Sequence, residues 1–459
     1  MSVPHKDYKL GSFIEKRLYE YQKNHTNRLI NIITINKNAL DASDTGTGKT
    51  YCAMAVCRFL KLKPIIICPK SIISAWIQVA KIFNVDPIFV VNYETIKLGR
   101  FYDARGQRID CPYIQVTKDD QYTWKVPEDA IFIFDEVHKC SGMTTINSRI
   151  LKSATKTGNS ILMLSATIAD RPERFMIFFY ILQFIDPEYI KQSNVEFDKY
   201  MRMMERWLIR DNKPMVRIHH MLYPERASRI RIDDLDDEFP ETQITSESYY
   251  MGKKRSDEIE KEYKLISQEL DNIKSKEKKK DNPLVKILRA HQKIEMLKVA
   301  TFSELAKDFI ENGYSIVIFV NFTQTLESLC TILKTDCKIY GKQTLEQREK
   351  NIKDFMKNKE KIIVCNIKAG GVGVSLHDIH GGHPRVSLVS PTWSSLDLIQ
   401  ALGRVHRAGG KSKSLQRIVY AAKTVEEDIS YKIREKLKNV SSINNGDLDL
   451  TNIEFKTYA

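Results

Sequence analysis

The 459-residue chain has no apolar run near the roughly 18 residues that a membrane-spanning helix requires. Its longest greasy run, Phe175 to Ile185, is short and broken by Gln183. The first residues (Met1, Ser2, Val3, Pro4, His5, Lys6, Asp7) carry charge early and lack an apolar stretch, so no secretory signal is expected. Cysteine is sparse: the 8 cysteines never fall as C-x-x-C, which argues against a zinc ribbon or a disulfide framework and predicts an intracellular, reducing compartment. No repeat of solenoid length is present. Negative charge is in deficit, with 58 Asp and Glu against 72 Lys and Arg, a net charge of +14. That excess predicts a polyanionic partner, nucleic acid ahead of a membrane surface. A hydrophobic share of 42% and a charged share of 28% exclude a wholly disordered chain. At about 150 residues per domain, the length predicts two or three domains.

What is there begins with a rhythm. Ile65 to Cys68, Ile88 to Asn92, Ile131 to Phe134 and Ile161 to Leu164 are near-continuous apolar runs that read as buried strands of a parallel sheet. Helix-like patterns separate them, which makes this an α/β domain. Ser315 to Val320, Lys338 to Tyr340, Lys361 to Cys365 and Val386 to Val389 repeat the rhythm in a second α/β domain. Between the two, Met176 to Leu208 is aromatic, Met-rich and helix-like, and Asp233 to Glu238 is acidic. Lys253 to Asp281 is highly charged and ends near a lysine run (276 to 280), either a solvated helix or loop or a phosphate-contacting protrusion.

The strongest chemical signal is Ser43-Asp44-Thr45-Gly46-Thr47-Gly48-Lys49-Thr50, followed by a helical stretch from Tyr51 to Leu60. Glycines let backbone N–H groups wrap phosphate oxygens, and the helix N-terminus adds a favourable field. Lys49 would reach the β- and γ-phosphates and Thr50 would ligate Mg²⁺. Ser43 stands where the usual loop begins with glycine. Asp135-Glu136-Val137-His138 follows the run 131 to 134, and the strand end is where α/β sheets place ligand chemistry. Asp135 would hold Mg²⁺ through water, and Glu136 would orient and deprotonate an attacking water. Ser165-Ala166-Thr167 also follows an apolar run. Lys368 to Leu376 is a glycine-rich turn after a strand, suited to nucleotide or nucleic-acid phosphate. Gln400 to Arg407 carries Arg404 and Arg407, three apart and expected on one helix face. A guanidinium that stays charged and bonds bidentately suits phosphoryl transfer. His377, Asp378, His380 and His383 invite a metal, but Gly381, Gly382 and Pro384 make the segment a loop shaped for other reasons.

Taken in order, these segments resemble the superfamily 2 helicases and translocases of the DEVH-box kind, over roughly Leu18 to Ile429. Leu18 to Gln22 resembles the adenine-recognising Gln motif. Residues 43–50 resemble motif I, Cys68 to Ser71 with Trp76 motif Ia, Asn92 to Glu94 motif Ib and Asp135 to His138 motif II. Ser165 to Thr167 resembles motif III, Phe319 to Thr323 motif IV, 368–376 motif V and 400–407 motif VI. Pro69 through Trp76, Tyr93-Glu94, Gly341 with Arg348, Ala369 to Gly371, Gln400-Ala401 and Thr424 to Glu427 look most like the Swi/Snf-type ATPases. Motif III, Ser-Ala-Thr, resembles general helicases instead. The compact form is similar to helicases of large DNA viruses and phages, which extends the expected location to a viral factory or virion.

The resemblance implies an α/β fold of two RecA-like P-loop NTPase domains in tandem with a small helical insertion. Lobe 1 is expected over 1–172, the charged insertion and linker over 173–300, lobe 2 over 301–435 and a tail over 436–459. ATP and Mg²⁺ are the implied cofactors, with Gln22 on the base and Thr45, Gly46, Thr47, Gly48, Lys49, Thr50, Gly373 and Gln400 around the nucleotide. Thr50 and Asp135 would hold the metal. Lys49, Asp135, Glu136, Arg404 and Arg407 are the implied catalytic residues, and His138, Ser165 and Thr167 the coupling residues. Lys70, Ser71, Asn92, Tyr93, Thr323 and Lys368 would touch nucleic acid. The expected activity is ATP-driven movement along nucleic acid by a monomer, duplex DNA being favoured as track. An RNA-dependent ATPase that unwinds or releases transcripts is the alternative, and a slow ATP-binding switch a further one.

Overall fold

The computed structural model describes residues 6–103, 105–117, 121–142, 145–169, 171–184, 197–210, 213–235, 242–274, 282–370, 374–392, 394–407, 409–431, 433 and 453–457. The chain divides into two units, the boundary falling after residue 236.

The first unit is built on six parallel strands: β1 (Asn38–Asp41), β2 (Lys63–Cys68), β3 (Phe89–Asn92), β4 (Ala130–Asp135), β5 (Ser160–Leu164) and β6 (Ala227–Ser228), in the order β6-β1-β5-β4-β2-β3. Alternation along the strands gives the sheet two apolar faces. Ile65, Ile67, Phe132 and Phe134 enter one core, while Ile66, Cys68, Ile131 and Ile133 enter the other. Each such side chain contributes roughly 1.5–3 kcal/mol before chain entropy is counted. Helices α1 (Glu20–Asn36), α2 (Lys49–Leu60) and α3 (Ile73–Phe83) lie in chain order before β4. Helices α4 (Ile146–Ala154), α5 (Pro172–Ile181), α6 (Phe197–Ile209) and α7 (Pro214–Leu222) follow it. Two small antiparallel hairpins, 100–110 and 114–124, sit between β3 and β4.

The second unit carries seven parallel strands. They are β7 (Thr242–Tyr249), β8 (Ser315–Val320), β9 (Lys338–Ile339), β10 (Ile362–Asn366), β11 (Arg385–Val389), β12 (Ser414–Ala421) and β13 (Ile453–Thr457), in the order β9-β10-β8-β11-β12-β7-β13. Again the faces alternate, Val317 and Phe319 against Ile316, Ile318 and Val320. Helices α8 (Lys253–Lys274) and α9 (Pro283–Leu297) pack on each other. Asn282 caps α9 by accepting from Leu284 N, with Pro283 preset for the first turn. Helices α10 (Val299–Glu311), α11 (Thr323–Leu333), α12 (Leu345–Met356) and α13 (Ser395–Leu402) complete the unit.

The expected boundaries at 172 and 300 do not coincide with this division. Phe175 to Phe179 of α5 are buried in the first unit's core, and β6 pairs with β1, so the stretch after 172 completes the first unit. β7 pairs with β12 along its whole length, and Ile259, Tyr263, Ile266 and Ile294 join the second unit's core. The expected tail supplies β13, paired with β7. The lysine run 276–280 lies outside the described residues.

Candidate functional site

Register brings the first unit's motifs to one edge. Asp41 ends β1 and Asp135 ends β4, and both stand opposite Leu164, the last residue of the strand between them. The segments after these strands are the phosphate loop, Glu136 to His138, and Ser165 to Thr167, so three motifs emerge side by side where parallel sheets hold ligands.

The loop turns through Gly46 (φ 89°) and Gly48 (φ 91°), left-handed conformations that glycine adopts without steric cost. Gly48 is needed for space as well: a Cβ there would stand 2.3 Å from Gln22 Nε2. Gln22 is buried and donates from Nε2 to Thr47 O at 2.8 Å, while its Oε1 accepts from Tyr19 N at 3.0 Å. The structure thus uses this amide to hold the loop from below. Lys49 Nζ donates to Ser43 O (2.7 Å) and Asp44 O (3.1 Å), which keeps the ammonium inside the loop. Thr45 and Gly46 are half-exposed, Thr47 is buried, and Thr50 opens α2 beside Lys49. Ser43 has its own use. Its hydroxyl, absent from glycine, accepts from Ile230 N at 3.0 Å and lies 3.3 Å from His25 Nε2.

Asp135 is 8% exposed. Its Oδ2 accepts from Trp76 Nε1 at 2.9 Å and its Oδ1 from Glu136 N at 2.9 Å. Burial first, and the neighbouring Glu136 second, push its carboxyl up to about 7 against the pull of Trp76 and Lys49. Buried oxygen donors so short of positive charge fit Mg²⁺, and Asp135 with Thr50 would hold it. When bound, that ion would offset charge on the phosphates. Glu136 sits at φ 53°, a left-handed conformation costly for a side chain of its kind, and its Oε2 lies 3.3 Å from His138 Nδ1. The same nitrogen lies 3.1 Å from Ser165 Oγ, which donates to Thr167 O at 2.7 Å. His138, Ser165 and Thr167 therefore form one chain of contacts that starts at Glu136.

Two of the residues expected on nucleic acid, and Trp76 of motif Ia with them, lie in the interior. Asn92 is buried, donating to Glu94 Oε2 and accepting from Thr95 and Tyr102 hydroxyls. Tyr93 is buried and donates to Asp135 O at 2.8 Å. Trp76 is buried against Asp135. Tyr93 of motif Ib and Trp76 of motif Ia thus brace motif II here, while Lys70 (exposed) and Ser71 (half-buried), in a turn after β2, stay at the surface.

In the second unit, β10, β8 and β11 end at one edge in the same way. The segments after them, with α8 and α9, line a cleft of about 330 Å³. Phe322, Lys368, Tyr263, His291, Pro391 and Asp397 are among its walls. Thr323 and Lys368 are exposed at that edge. Beneath it Lys298 Nζ donates to both Glu426 oxygens (2.8 and 3.0 Å), and Tyr263 Oη donates to Oε1 at 3.2 Å.

Arg404 and Arg407 do not share a helix face. α13 ends at Leu402, with Gly403 as its C-cap, and both arginines stand in the turn beyond. Arg404 is 2% exposed and donates to Val374 O at 3.3 Å. Arg407 is half-buried and donates to Gly403 O and Ser375 Oγ. Gln400 is buried on α13, and Gly373 lies outside the described residues. Asp378 is occupied by the backbone N–H groups of His380, Gly381 and His383 and by Ser412 Oγ, so it shapes a turn. No cluster of three or more His, Cys, Asp or Glu suited to a metal occurs among the described residues. All 8 cysteines are buried and free. No helix among the described residues is long and apolar enough to cross a membrane.

Sequence missed Asp41, His25, Ser228 and Arg229 around the loop, and gave Asp44 no role. Nothing in the spacing announces Ser228 and Arg229, because β6 is two residues long and Ala227 lies 187 positions from the Leu40 that it faces.

Comparison with known proteins adds the following. The family described as type III restriction enzyme, res subunit, matches residues 15–170, and the helicase conserved C-terminal domain matches 293–409. A protein of Acanthamoeba polyphaga mimivirus, provisionally named an ATP-dependent RNA helicase, is 39% identical over 96% of this chain and 86% of its own. The human SWI/SNF-related matrix-associated actin-dependent regulator of chromatin, subfamily A member 1, is 23% identical over 92% of this chain and 43% of its own. The chain thus spans less than half of that relative. Among solved structures, Saccharomyces cerevisiae Dbp5 bound to RNA and ADP BeF3 shares 12% identity over 97% of this chain and 95% of that one, with a TM-score of 0.49. The Sulfolobus solfataricus SWI2/SNF2 ATPase core in complex with dsDNA shares 16% over 96% of each, with a TM-score of 0.38.

Proposed function

The chain belongs to the superfamily 2 helicases, ATP-hydrolysing enzymes built on tandem RecA-like domains, and from that premise we propose that it is of the Swi/Snf type and uses ATP to move along duplex DNA as a monomer. The observation that carries the ATPase part is the sheet edge at which the phosphate loop, Asp135–Glu136 and Ser165–Thr167 emerge together. Lys49 would leave the loop carbonyls for the β- and γ-phosphates. Glu136 would take the proton of the attacking water, and His138 with Ser165 would hold that carboxylate in place. Arg407, whose guanidinium is half-buried and sits in a turn, is the better suited of the two arginines to stabilise transferred charge. Lys70, Ser71, Thr323 and Lys368, all at least partly accessible, would contact the track. The net charge of +14 suits a phosphate backbone, and the Swi/Snf-like motifs favour duplex DNA.

One observation favours RNA instead: the motif Ser165-Ala166-Thr167 is of the general helicase form. Steady-state ATP hydrolysis by the wild type and Lys49→Ala separates the two, each alone and with single-stranded DNA, duplex DNA or RNA. Stimulation by duplex DNA, absent in Lys49→Ala, is the expected outcome. Stimulation by RNA alone would move the assignment to RNA, and near-normal turnover in Lys49→Ala would remove the phosphate role of the loop.

A further inference from the structure

Strand β6 and the four residues after it lie outside every motif of the sequence, yet they hold the phosphate loop at many points. Ala42 N donates to Ser228 O (2.9 Å), Ile230 N to Ser43 Oγ (3.0 Å), Asp44 N to Ile230 O (3.0 Å) and Ile232 N to Asp44 Oδ2 (3.0 Å). Arg229 Nη2 donates to the other carboxylate oxygen, Asp44 Oδ1. Helix α1 grips from the opposite side. His25 Nδ1 lies 2.9 Å from Ser228 Oγ and His25 Nε2 3.2 Å from Asp41 Oδ2, one turn along from Gln22.

Three of these contacts meet at Asp44. Its carbonyl also accepts from Lys49 Nζ (3.1 Å) and Thr47 Oγ1 (2.9 Å). A carboxylate therefore sits within a loop whose task is to receive a polyanion, and Asp44 is the one acidic residue between Ser43 and Thr50. Its charge opposes that task unless a cation is fixed beside it. Arg229 is that cation, and both partners are shielded, with 12% and 22% of their side chains exposed. A guanidinium held by a charge-assisted bond keeps both its place and its charge at any physiological pH.

We propose that Arg229 is a positioning residue for the nucleotide: by pairing with Asp44 it fixes the first turn of the phosphate loop and cancels the negative charge that would oppose a nucleoside triphosphate. This rests on the reading of the loop as a triphosphate site. Arg229 touches no phosphate, so its effect reaches the nucleotide through Asp44.

The test is calorimetric titration of the full chain with Mg·ATP and with ADP, alongside steady-state hydrolysis and thermal melting. Arg229→Ala is expected to weaken ATP binding about tenfold, to raise KM far more than it lowers kcat, and to weaken ADP less. Arg229→Lys is expected to recover part of that loss. Adding Asp44→Asn to Arg229→Ala is expected to return affinity toward wild type, because the opposing charge is then gone. Unchanged affinity in Arg229→Ala overturns the proposal. So does a loss that Asp44→Asn fails to restore and that tracks a matching fall in Tm, since Arg229 is then a structural brace. Should Arg229→Ala not fold, Arg229→Gln, which keeps a donor without the charge, carries the same expectations. Failure of the wild type itself to bind either nucleotide would instead remove the triphosphate reading of the loop, and the proposal with it.

Discussion

Both units end a parallel sheet at a common edge, but they surround their buried charges differently. In the first unit Asp41, Asp44 and Asp135 stand at or just past that edge, and their compensation is drawn from several elements. Burial alone would raise Asp41, and His25, Lys49 and Ser43 bring it below the usual carboxylate range. Asp135 has a neutral indole as partner and stays well above that range. In the second unit Lys298 and Glu426, each 2% exposed, are paired directly, and Ala421 N and Tyr263 Oη complete the carboxylate. Arg417 and Glu247 form another direct pair at 3.2 Å. The contrast separates a charge that can bind from charges that hold. Asp135, left short of positive charge at a strand end, is prepared for a ligand that brings some, whereas Lys298 and Glu426 already neutralise each other.

The widest break of this comparison comes from a second-unit charge outside its closed pairs. Arg407→Ala is expected to lower nucleic-acid-stimulated kcat by about a thousandfold while ATP affinity changes little, as removal of a transition-state cation does. Arg404→Ala, which deletes a buried guanidinium tied to Val374 O, is expected instead to lower Tm along with activity. If the two variants behave alike in both assays, the distinction between a reactive and a structural arginine fails.

That distinction was out of reach of the sequence. The spacing of Arg404 and Arg407 reads as one helix face, but the helix ends at Leu402 with Gly403 as its C-cap, and the two differ in burial, Arg404 buried and Arg407 half-buried. The strands were legible where apolar runs were continuous: the run 131–134 is β4 and 315–320 is β8, because residues buried on both faces leave no polar interruption. β7 (Thr-Gln-Ile-Thr-Ser-Glu-Ser-Tyr) was not, since polar residues fill it and its Glu247 is buried by accepting from Thr245 and Tyr249 and pairing with Arg417 of β12. Motif order put Lys49, Asp135 and Glu136 in one expected site, and the register sets the strand ends that lead into their segments side by side. It could not say that Asn92 and Tyr93 face inward, because a polar residue after a strand looks the same whether it meets solvent or a buried carbonyl.

A change of intermediate size sharpens the comparison from the closed side. Lys298→Met leaves Glu426 buried without its cation, and losing one partner of such a pair costs about 3–5 kcal/mol. For a unit of this size that is a Tm fall of roughly 6–20 °C. Adding Glu426→Gln is expected to recover much of it, because the buried charge is then gone and Tyr263 and Ala421 N keep an acceptor. ATP hydrolysis measured well below the melting range is expected to stay near wild type. A collapse of hydrolysis with Tm unchanged would mean that this pair belongs to the motor's chemistry.

The smallest effect bears on the boundary between bracing and binding. Tyr93 donates to the carbonyl of Asp135, and burial raises its phenol well above the ordinary value, so the hydroxyl keeps the proton that it donates. Tyr93→Phe keeps the ring and its packing and removes the hydroxyl, leaving the Asp135 carbonyl without the phenol. The net cost expected is about 1 kcal/mol, or a Tm fall of roughly 2–4 °C. Because the carbonyl belongs to the residue that would hold the metal, kcat is expected to fall by less than about tenfold, as for a shift of under 1.4 kcal/mol in the barrier. Affinity for DNA or RNA is expected to stay unchanged at every salt concentration, since a side chain 1% exposed offers nothing to a phosphate. The opposite pattern, weaker nucleic-acid binding with Tm and kcat intact, would show that Tyr93 turns outward on the track and would return motif Ib to the binding surface.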